Sequence, residues 1–251
     1  MLTVKRLPRL NIGAGRSPQP EGYLNCDLYP GPNISIAFDA CKPWPFRDSS
    51  VGSVECHHVF EHLSDVWTFV REAHRVLAPA PFPNLTIRLP YGPGLGGLGD
   101  ITHLRGYLPH SFCCFQPGYG DFVRNPQHND WDAPFSVMSI YLRINPRLRW
   151  LVKPGIRRWG LSALEFLWDG FIEMTVGMRA LKSADEVARW RSIYTADQIP
   201  VAPCMYEHEY QNRPLADGEV PRLRFFGASA KTLKQLASSA TPHPDQERGV
   251  L

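Results

Sequence analysis

The sequence of 251 residues lacks several features that assign a chain to particular protein classes. No apolar run approaches the 18 or so residues that cross a bilayer. No apolar segment typical of a signal peptide precedes the first glycine turn either. These absences predict a cytoplasmic protein. The motif G-x-x-x-x-G-K-[ST] is also missing, which excludes a GTPase or a kinase of the phosphate-loop type.

Cysteine is scarce, and no two of the six cysteines have the C-x-x-C spacing. Their irregular distribution argues against a disulfide framework and against a zinc cluster, so we expect reduced, mostly buried thiols. His58 and His62 stand four residues apart, a spacing that can bind a metal. The segment between them does not have the H-E-x-x-H form of a zinc protease, and the sequence therefore predicts no metal.

Charge of one sign is not in large excess, because the net charge is only +3. One stretch is nevertheless basic, has two interleaved tryptophans and contains no acid; its basic residues are Arg143, Arg147, Arg149, Lys153, Arg157 and Arg158. Such a stretch can contact nucleic-acid phosphates, anionic lipid headgroups or an acidic glycan. A solvated positive face is the equally good alternative.

Short apolar runs alternate with helical patterns, which is typical of an α/β fold with a largely parallel sheet. A long amphipathic helix is predicted from residue 60 until Pro79 stops it, and the glycine-rich segment 91–106 is predicted to be a loop. The other predicted helices cover residues 161–168, 183–193 and 231–240. The predicted strands cover residues 9–12, 23–27, 34–39, 51–56, 84–90, 135–144, 171–181 and 222–226.

A glycine turn follows the first predicted strand, and an acid ends each of the next two. Gly13 and Gly15 allow a ligand to approach the backbone without a Cβ in the way. Asp27 can accept hydrogen bonds from both hydroxyls of a ribose, and Asp39 can accept one from an adenine amino group. This pattern indicates a nucleoside-binding edge of the sheet.

The spacing disfavours a dinucleotide. Dinucleotide-binding folds place a helix behind the glycine turn and a ribose-binding acid about 20 residues further on. Asp27 follows Gly15 by only twelve residues, and Pro18 and Pro20 interrupt the interval. Because a regular helix hardly fits there, a nicotinamide enzyme is the poorer interpretation.

Five motifs, taken in order, resemble those of class I methyltransferases that depend on S-adenosylmethionine (SAM), in their small type-11-like branch. They read LNIGAG, GYLNCD, FDACKPWPF, HHVFEHL and REAHRVLAPAP. The resemblance covers about residues 8–115. It implies a Rossmann-like, mainly parallel seven-stranded sheet with flanking helices, and SAM as the cofactor. It also implies that the strands at 23–27 and 34–39 are parallel, although their short connection alone predicts a hairpin.

The resemblance also implies roles for individual residues. Glu61 and His62 are expected to cap or pack the long helix. We expect His103 to act as the base that takes the acceptor's proton, although ordering its loop or contacting SAM is an equal alternative. The expected SAM-binding residues are Asn11, Gly13, Ala14, Gly15, Asp27, Asp39, Ala40 and His57. The other expected site residues are His58 for catalysis, and Arg105 and Tyr91 for the substrate.

We expect residues 1–182 to form the methyltransferase domain, with a lid or acceptor-binding insertion at about 91–132. Residues 183–251 are expected to form a C-terminal extension that is disordered over 241–251. The predicted function is methyl transfer to an oxygen or nitrogen of a small-molecule or glycan acceptor. A nucleic-acid methyltransferase that uses the basic stretch 143–158 is one alternative. The other is a non-catalytic binding protein with the same fold.

Overall fold

The computed structural model describes residues 7–15, 22–119, 132–152, 169–193 and 201–204. Within these ranges the strands are β1 (Arg9–Ile12), β2 (Tyr23–Asp27), β3 (Ile36–Ala37), β4 (Ser53–His57), β5 (Leu85–Pro90), β6 (Phe135–Ile144), β7 (Phe171–Ala180) and β8 (Val201–Cys204). They form one sheet in the order β3-β2-β1-β4-β5-β7-β6-β8.

The sheet is mostly parallel on one side and antiparallel on the other. β1 pairs in parallel with β2 and β4, β2 with β3, and β4 with β5. β7 is inserted between β5 and β6 and runs antiparallel to both. The predicted seven-stranded, mainly parallel sheet is confirmed. β8 adds an eighth strand, parallel to β6, which the sequence pattern did not predict.

The third strand shows which of two conflicting predictions was right. β3 has only two residues, where the sequence predicted a strand over 34–39, and it lies parallel to β2 with Ile36 opposite Cys26. The hairpin that the short connection predicted is therefore wrong. The chain reverses through a turn closed by a hydrogen bond from Ile34 N to Gly31 O of 3.1 Å. This turn takes the place of a crossover helix.

The helices differ from the prediction at one important point. The first helix, α1 (Val66–Val76), begins six residues later than predicted, because Asp65 caps it by accepting a hydrogen bond from Thr68 N at 3.0 Å. Residues Phe60–His62 form a separate 3₁₀ turn, and extended backbone at Leu63 ends that turn. Glu61 and His62 therefore do not cap α1, so the capping half of the expectation is wrong; that they pack against the helix stays a prediction.

The remaining helices are short. α2 (Leu95–Leu98) is a single turn inside the segment that was predicted to be entirely loop. α3 (Ala184–Ile193) matches the helix predicted at 183–193. Two further 3₁₀ helices span Pro109–Phe115 and Pro146–Val152. The helices predicted at 161–168 and 231–240, the strand at 222–226 and the tail at 241–251 lie outside the described residues.

Aromatic packing holds the 3₁₀ turn against the sheet. Phe60 is fully buried, and its ring centroid lies 5.5 Å from that of Phe69 on the apolar face of α1. Phe69 also packs edge-on against Trp44 at 5.3 Å. Burial of a large aromatic side chain contributes about 2–3 kcal/mol. The position of the adjacent Glu61 and His62 is therefore determined by the core.

None of the helices among the described residues is long and apolar enough to span a bilayer. Of the cysteines in this part of the chain, Cys26, Cys56 and Cys113 are buried free thiols. Burial raises the pKa of Cys26 to about 12, so its reactive thiolate is not populated at neutral pH. α3 and β8 belong to the segment predicted to be a C-terminal extension. The boundary at residue 182 stays a prediction.

Candidate active site

The glycine turn after β1 is tied to the neighbouring strand. Gly13 and Gly15 have φ angles of 74° and 62°, in the left-handed region that favours glycine. The N–H groups of Gly13 and Ala14 donate to the carbonyl of Cys26 at 2.8 and 3.0 Å. A Cβ on Gly13 would lie 2.0 Å from Val59 Cγ2, whereas one on Gly15 would meet open space. Gly13 thus allows close packing, and Gly15 leaves the backbone accessible.

The two glycines should respond differently to the same substitution. Gly15→Ala should cost about 1 kcal/mol of unfolding free energy, for the left-handed backbone alone. Gly13→Ala should cost about 3 kcal/mol, because its methyl group also displaces Val59. Urea unfolding measures both values. The double variant Gly13→Ala/Val59→Ala should recover part of the loss, and equal losses for the two glycines would contradict the packing argument.

The predicted acids lie where a nucleoside would need them. Asp27 ends β2; its Oδ2 accepts from Gly15 N at 2.8 Å and its Oδ1 from Tyr29 N at 3.1 Å. Each oxygen keeps a second lone pair for a ribose hydroxyl. Asp39 Oδ1 accepts from Cys41 N at 2.9 Å, and its Oδ2 lies 3.4 Å from Lys42 Nζ. The acceptor atoms of both acids fit the hydroxyl and amino donors of an adenosine.

Four other predicted cofactor residues lie at or near the carboxyl ends of the strands and are partly or fully buried. Asn11 and Ala14 are buried, and the Asn11 amide donates to Asn25 Oδ1 at 3.2 Å. The Ala40 carbonyl accepts from the indole of Trp44 at 3.1 Å. His57 is the last residue of β4, and burial lowers the pKa of its imidazole. His57 is therefore neutral at pH 7, which suits a position beside a positively charged sulfonium.

The carboxyl ends of adjacent parallel strands bring these residues to one edge of the sheet. The glycine turn follows β1, Asp27 ends β2, His57 ends β4 and Tyr91 follows β5. In open parallel sheets this is the edge at which ligands bind.

Comparison with known families agrees with this geometry. Residues 25–80, which include both acids and His57, match the family described as a methyltransferase domain. The order β3-β2-β1-β4-β5-β7-β6 is the strand order of the class I methyltransferase fold. The chain is a class I SAM-dependent methyltransferase. SAM is accordingly its cofactor.

The methyltransferase is also similar to solved structures at low identity. The YcgJ protein of Bacillus subtilis is 16% identical with a TM-score of 0.41, and the match covers 70% of this chain and 92% of that one. A SAM-dependent methyltransferase from Archaeoglobus fulgidus is 13% identical with a TM-score of 0.45, over 70% and 87% of the two chains. No curated protein matches the chain by sequence.

A second group of charged side chains lies where β4, β5, β6 and β7 adjoin. Glu173 of β7 is buried; its Oε2 lies 3.1 Å from His58 Nε2 and its Oε1 lies 2.9 Å from Arg88 Nε. Arg143 lies 3.8 Å from the same Oε1. A hydrogen bond to Glu173 and the nearby charge of Glu61 raise the pKa of His58 to about 9. His58 is therefore protonated at neutral pH.

The carboxyl of Glu173 is held ionised by the same contacts. Burial alone would raise its pKa, but hydrogen bonds from His58 and Arg88 outweigh burial and lower it. The sequence analysis missed Glu173 and Arg88. A signal was present, because Arg88 is the only charge in LTIRLP and Glu173 lies between two apolar residues in FIEMTVGMRA. A charge in such a strand is buried only with a partner.

His103 lies on the loop that follows β5, and its side chain is buried against the protein. Its side chain is only 8% exposed, and its Nδ1 lies 3.1 Å from the Gly97 carbonyl. Its Nε2 lies 4.0 Å from Glu61 Oε1 and 3.8 Å from Asp100 Oδ2. Leu104 N donates to the Glu61 carbonyl at 2.9 Å, which ties the loop to the 3₁₀ turn. The structure thus brings His103 close to Glu61.

The predicted substrate residues flank this loop. Tyr91 is half-buried with its ring edge-on to Phe171 at 5.4 Å, and it pairs with Tyr107 across the base of the loop. Arg105 is exposed on the same loop.

The predicted basic stretch divides into parts with different surroundings. Arg143 is turned towards buried Glu173, with its side chain 29% exposed, and so does not belong to a solvated face. Arg147 is exposed. Residues 153–158 lie outside the described ranges.

Proposed function

We propose that the methyltransferase moves the methyl group of SAM to an oxygen or nitrogen of a small molecule or a glycan. The observation that carries this proposal is the placement of His103. Its side chain is buried beside Glu61, and the loop that carries it is tied back at its base. Gly92 N donates to Tyr107 O at 2.8 Å there. A small molecule or the end of a glycan fits such a covered position better than a duplex does.

The cofactor supplies an electrophilic methyl group, and the protein supplies position and a proton acceptor. Bound SAM would give up this methyl group to an acceptor hydroxyl or amine, with S-adenosylhomocysteine as the leaving group. His103 takes the acceptor's proton on Nε2, because its Nδ1 is engaged with Gly97. Most of the rate enhancement would come from holding the reactants in contact.

In this proposal His58 is a positioning residue and not the base. Its Nε2 faces Glu173, and its Nδ1 lies 3.4 Å from Glu61 Oε1. A group that is protonated at pH 7 cannot accept a proton there. Its charge holds Glu61 close to His103, and Arg105 remains the proposed contact for an anionic acceptor.

The test is transfer of label from radiolabelled SAM to extract fractions that hold small molecules, glycans, lipids, RNA, DNA or proteins. Label in the small-molecule or glycan fraction supports the proposal. His103→Ala should lower turnover at least tenfold and leave the affinity for SAM unchanged. The control His110→Ala removes an exposed histidine and should keep full turnover. Full activity of His103→Ala would exclude it as the base.

One observation favours the nucleic-acid alternative. The 3₁₀ helix Pro146–Val152 presents Arg147 and Trp150, and Trp150 is 55% exposed. A basic side chain next to an exposed aromatic ring is a common way to bind unpaired bases. Label in RNA or DNA, with binding that weakens steeply as salt rises, would replace our proposal with this one. No transfer to any fraction would favour the non-catalytic alternative.

A further inference from the structure

Three side chains, one of them the proposed base His103, come together where the loop after β5 meets the 3₁₀ turn. Glu61, His62 and His103 each offer one ligand atom, and these atoms lie within 4.8 Å of one another. The ring centroids of the two histidines are 4.7 Å apart. Glu61 and His62 are adjacent in the 3₁₀ turn, and the hydrogen bond from Leu104 N to Glu61 O holds the loop of His103 against that turn.

The hydrogen bonds assign the proton on each imidazole. His103 Nδ1 faces the Gly97 carbonyl at 3.1 Å, and His62 Nδ1 faces the Thr102 carbonyl at 3.2 Å. The Thr102 hydroxyl also lies 3.2 Å from His62 Nδ1, and it donates its own proton to Asp100 at 2.7 Å. These oxygens only accept, so Nδ1 carries the proton in both rings. Nε2 then keeps its lone pair, as in histidines that bind metals.

Glu61 has an ion-pair neighbour in His58, but its buried carboxylate accepts no hydrogen bond among the described residues. Its side chain is 3% exposed. His58 Nδ1 and His103 Nε2 approach Oε1 to 3.4 and 4.0 Å, outside hydrogen-bonding geometry. Buried carboxylates are normally paired, hydrogen-bonded or bound to a metal. The carboxylate is therefore paired with His58 but not hydrogen-bonded, and one of its oxygens lies within 4.8 Å of ligand atoms of His62 and His103.

We propose that Glu61, His62 and His103 bind a divalent transition-metal ion such as zinc. Two imidazoles and one carboxylate form a ligand set that zinc takes with one position left open. Tetrahedral zinc needs ligand atoms about 3.4 Å apart, so the group must contract by about 1 Å. His62 is exposed, which gives the ion a path from solvent.

This site revises the expectation that the chain holds no metal. With the ion bound, the His103 Nε2 lone pair is a metal ligand, so its role as a base applies only to the metal-free protein. Binding of the ion does not depend on any acceptor. Failure of the metal proposal therefore leaves the proposed methyl transfer intact, and the two are tested by separate measurements.

The test is calorimetric titration of the chelator-treated full chain with zinc chloride alone. We expect one ion per chain, and we expect cobalt(II) to give visible absorption bands of a low-coordinate site. Glu61→Gln and His103→Ala should each weaken zinc binding by about 100-fold. His62→Ala should weaken it as well, and this exposed position keeps the test valid if a buried variant fails to fold. Magnesium at the same concentration should not compete.

The control is His110→Ala, because His110 is exposed and lies outside the group. It should bind zinc as the unaltered protein does. Three outcomes would overturn the proposal. They are no zinc binding by the unaltered protein, unchanged binding by a folded Glu61→Gln or His62→Ala, and loss of binding in His110→Ala alone.

Discussion

Replacing Asp27 with alanine is expected to weaken the binding of SAM about 100-fold. In the unaltered protein one carboxylate oxygen accepts from Gly15 N and the other from Tyr29 N, and each keeps a lone pair for a ribose hydroxyl. A hydrogen bond to a charged acceptor contributes about 1.5 kcal/mol, so loss of two costs about 3 kcal/mol. The substitution also removes the acceptor of the hydrogen bond from Gly15 N. Calorimetry with S-adenosylhomocysteine measures the change without turnover.

The matched control is Asp132→Ala. Asp132 is exposed and pairs only with Arg71 at the surface, at 3.0 Å, among the contacts described. Its removal should leave the affinity for S-adenosylhomocysteine unchanged. Asp27→Asn keeps one acceptor oxygen and should give an intermediate affinity. If Asp27→Ala binds within twofold of the unaltered protein, the carboxylate does not contact the ribose.

Replacing Glu173 with alanine is expected to lower the free energy of unfolding by about 4 kcal/mol. The carboxylate is buried and faces Arg88, Arg143 and His58, so its removal leaves their positive charges without their shared counter-charge. Breaking a buried ion pair by removing one partner costs about 3–5 kcal/mol. For a chain of this size the melting temperature should fall by roughly 10 °C. Scanning calorimetry measures that shift.

A second measurement distinguishes this ion pair from simple loss of packing. The pKa of His58, about 9 in the unaltered protein, should fall towards 6.5 in a Glu173→Gln variant, as followed by NMR. Asp48→Ala is the control, because Asp48 is exposed and pairs with Arg75 at the surface, at 2.7 Å. It should cost less than about 1 kcal/mol. An unchanged His58 pKa in Glu173→Gln would show that Glu173 does not govern its charge.

The sequence predicted several strands well, because each is a compact apolar run with turn-forming residues at both ends. β1, β2 and β6 have the predicted bounds, and β5 begins one residue later than predicted. The short β3 was harder. Two residues carry no periodicity, and only the family motifs indicated that this segment runs parallel to β2.

Two parts of the candidate site could not be predicted from periodicity. The prediction merged the 3₁₀ turn and α1 into one helix that began at residue 60. Asp65, a typical helix cap, marks the break between them. The pairing of Glu173 with Arg88 depends on β7 entering the sheet between β5 and β6, with Pro90 opposite Glu173. The register between such distant strands is set by tertiary packing, and it cannot be predicted from local sequence.

The outer strands of the sheet have a consequence for solubility. Within the described ranges the sheet terminates in β3, which has two residues, and β8, which has four. An outermost strand offers unpaired N–H and C=O groups that can recruit strands from other chains into fibrils. β8 pairs with Ile140–Arg143 and so screens part of the ten-residue β6 from such recruitment. Within these ranges both outer strands therefore offer few unpaired backbone groups to other chains.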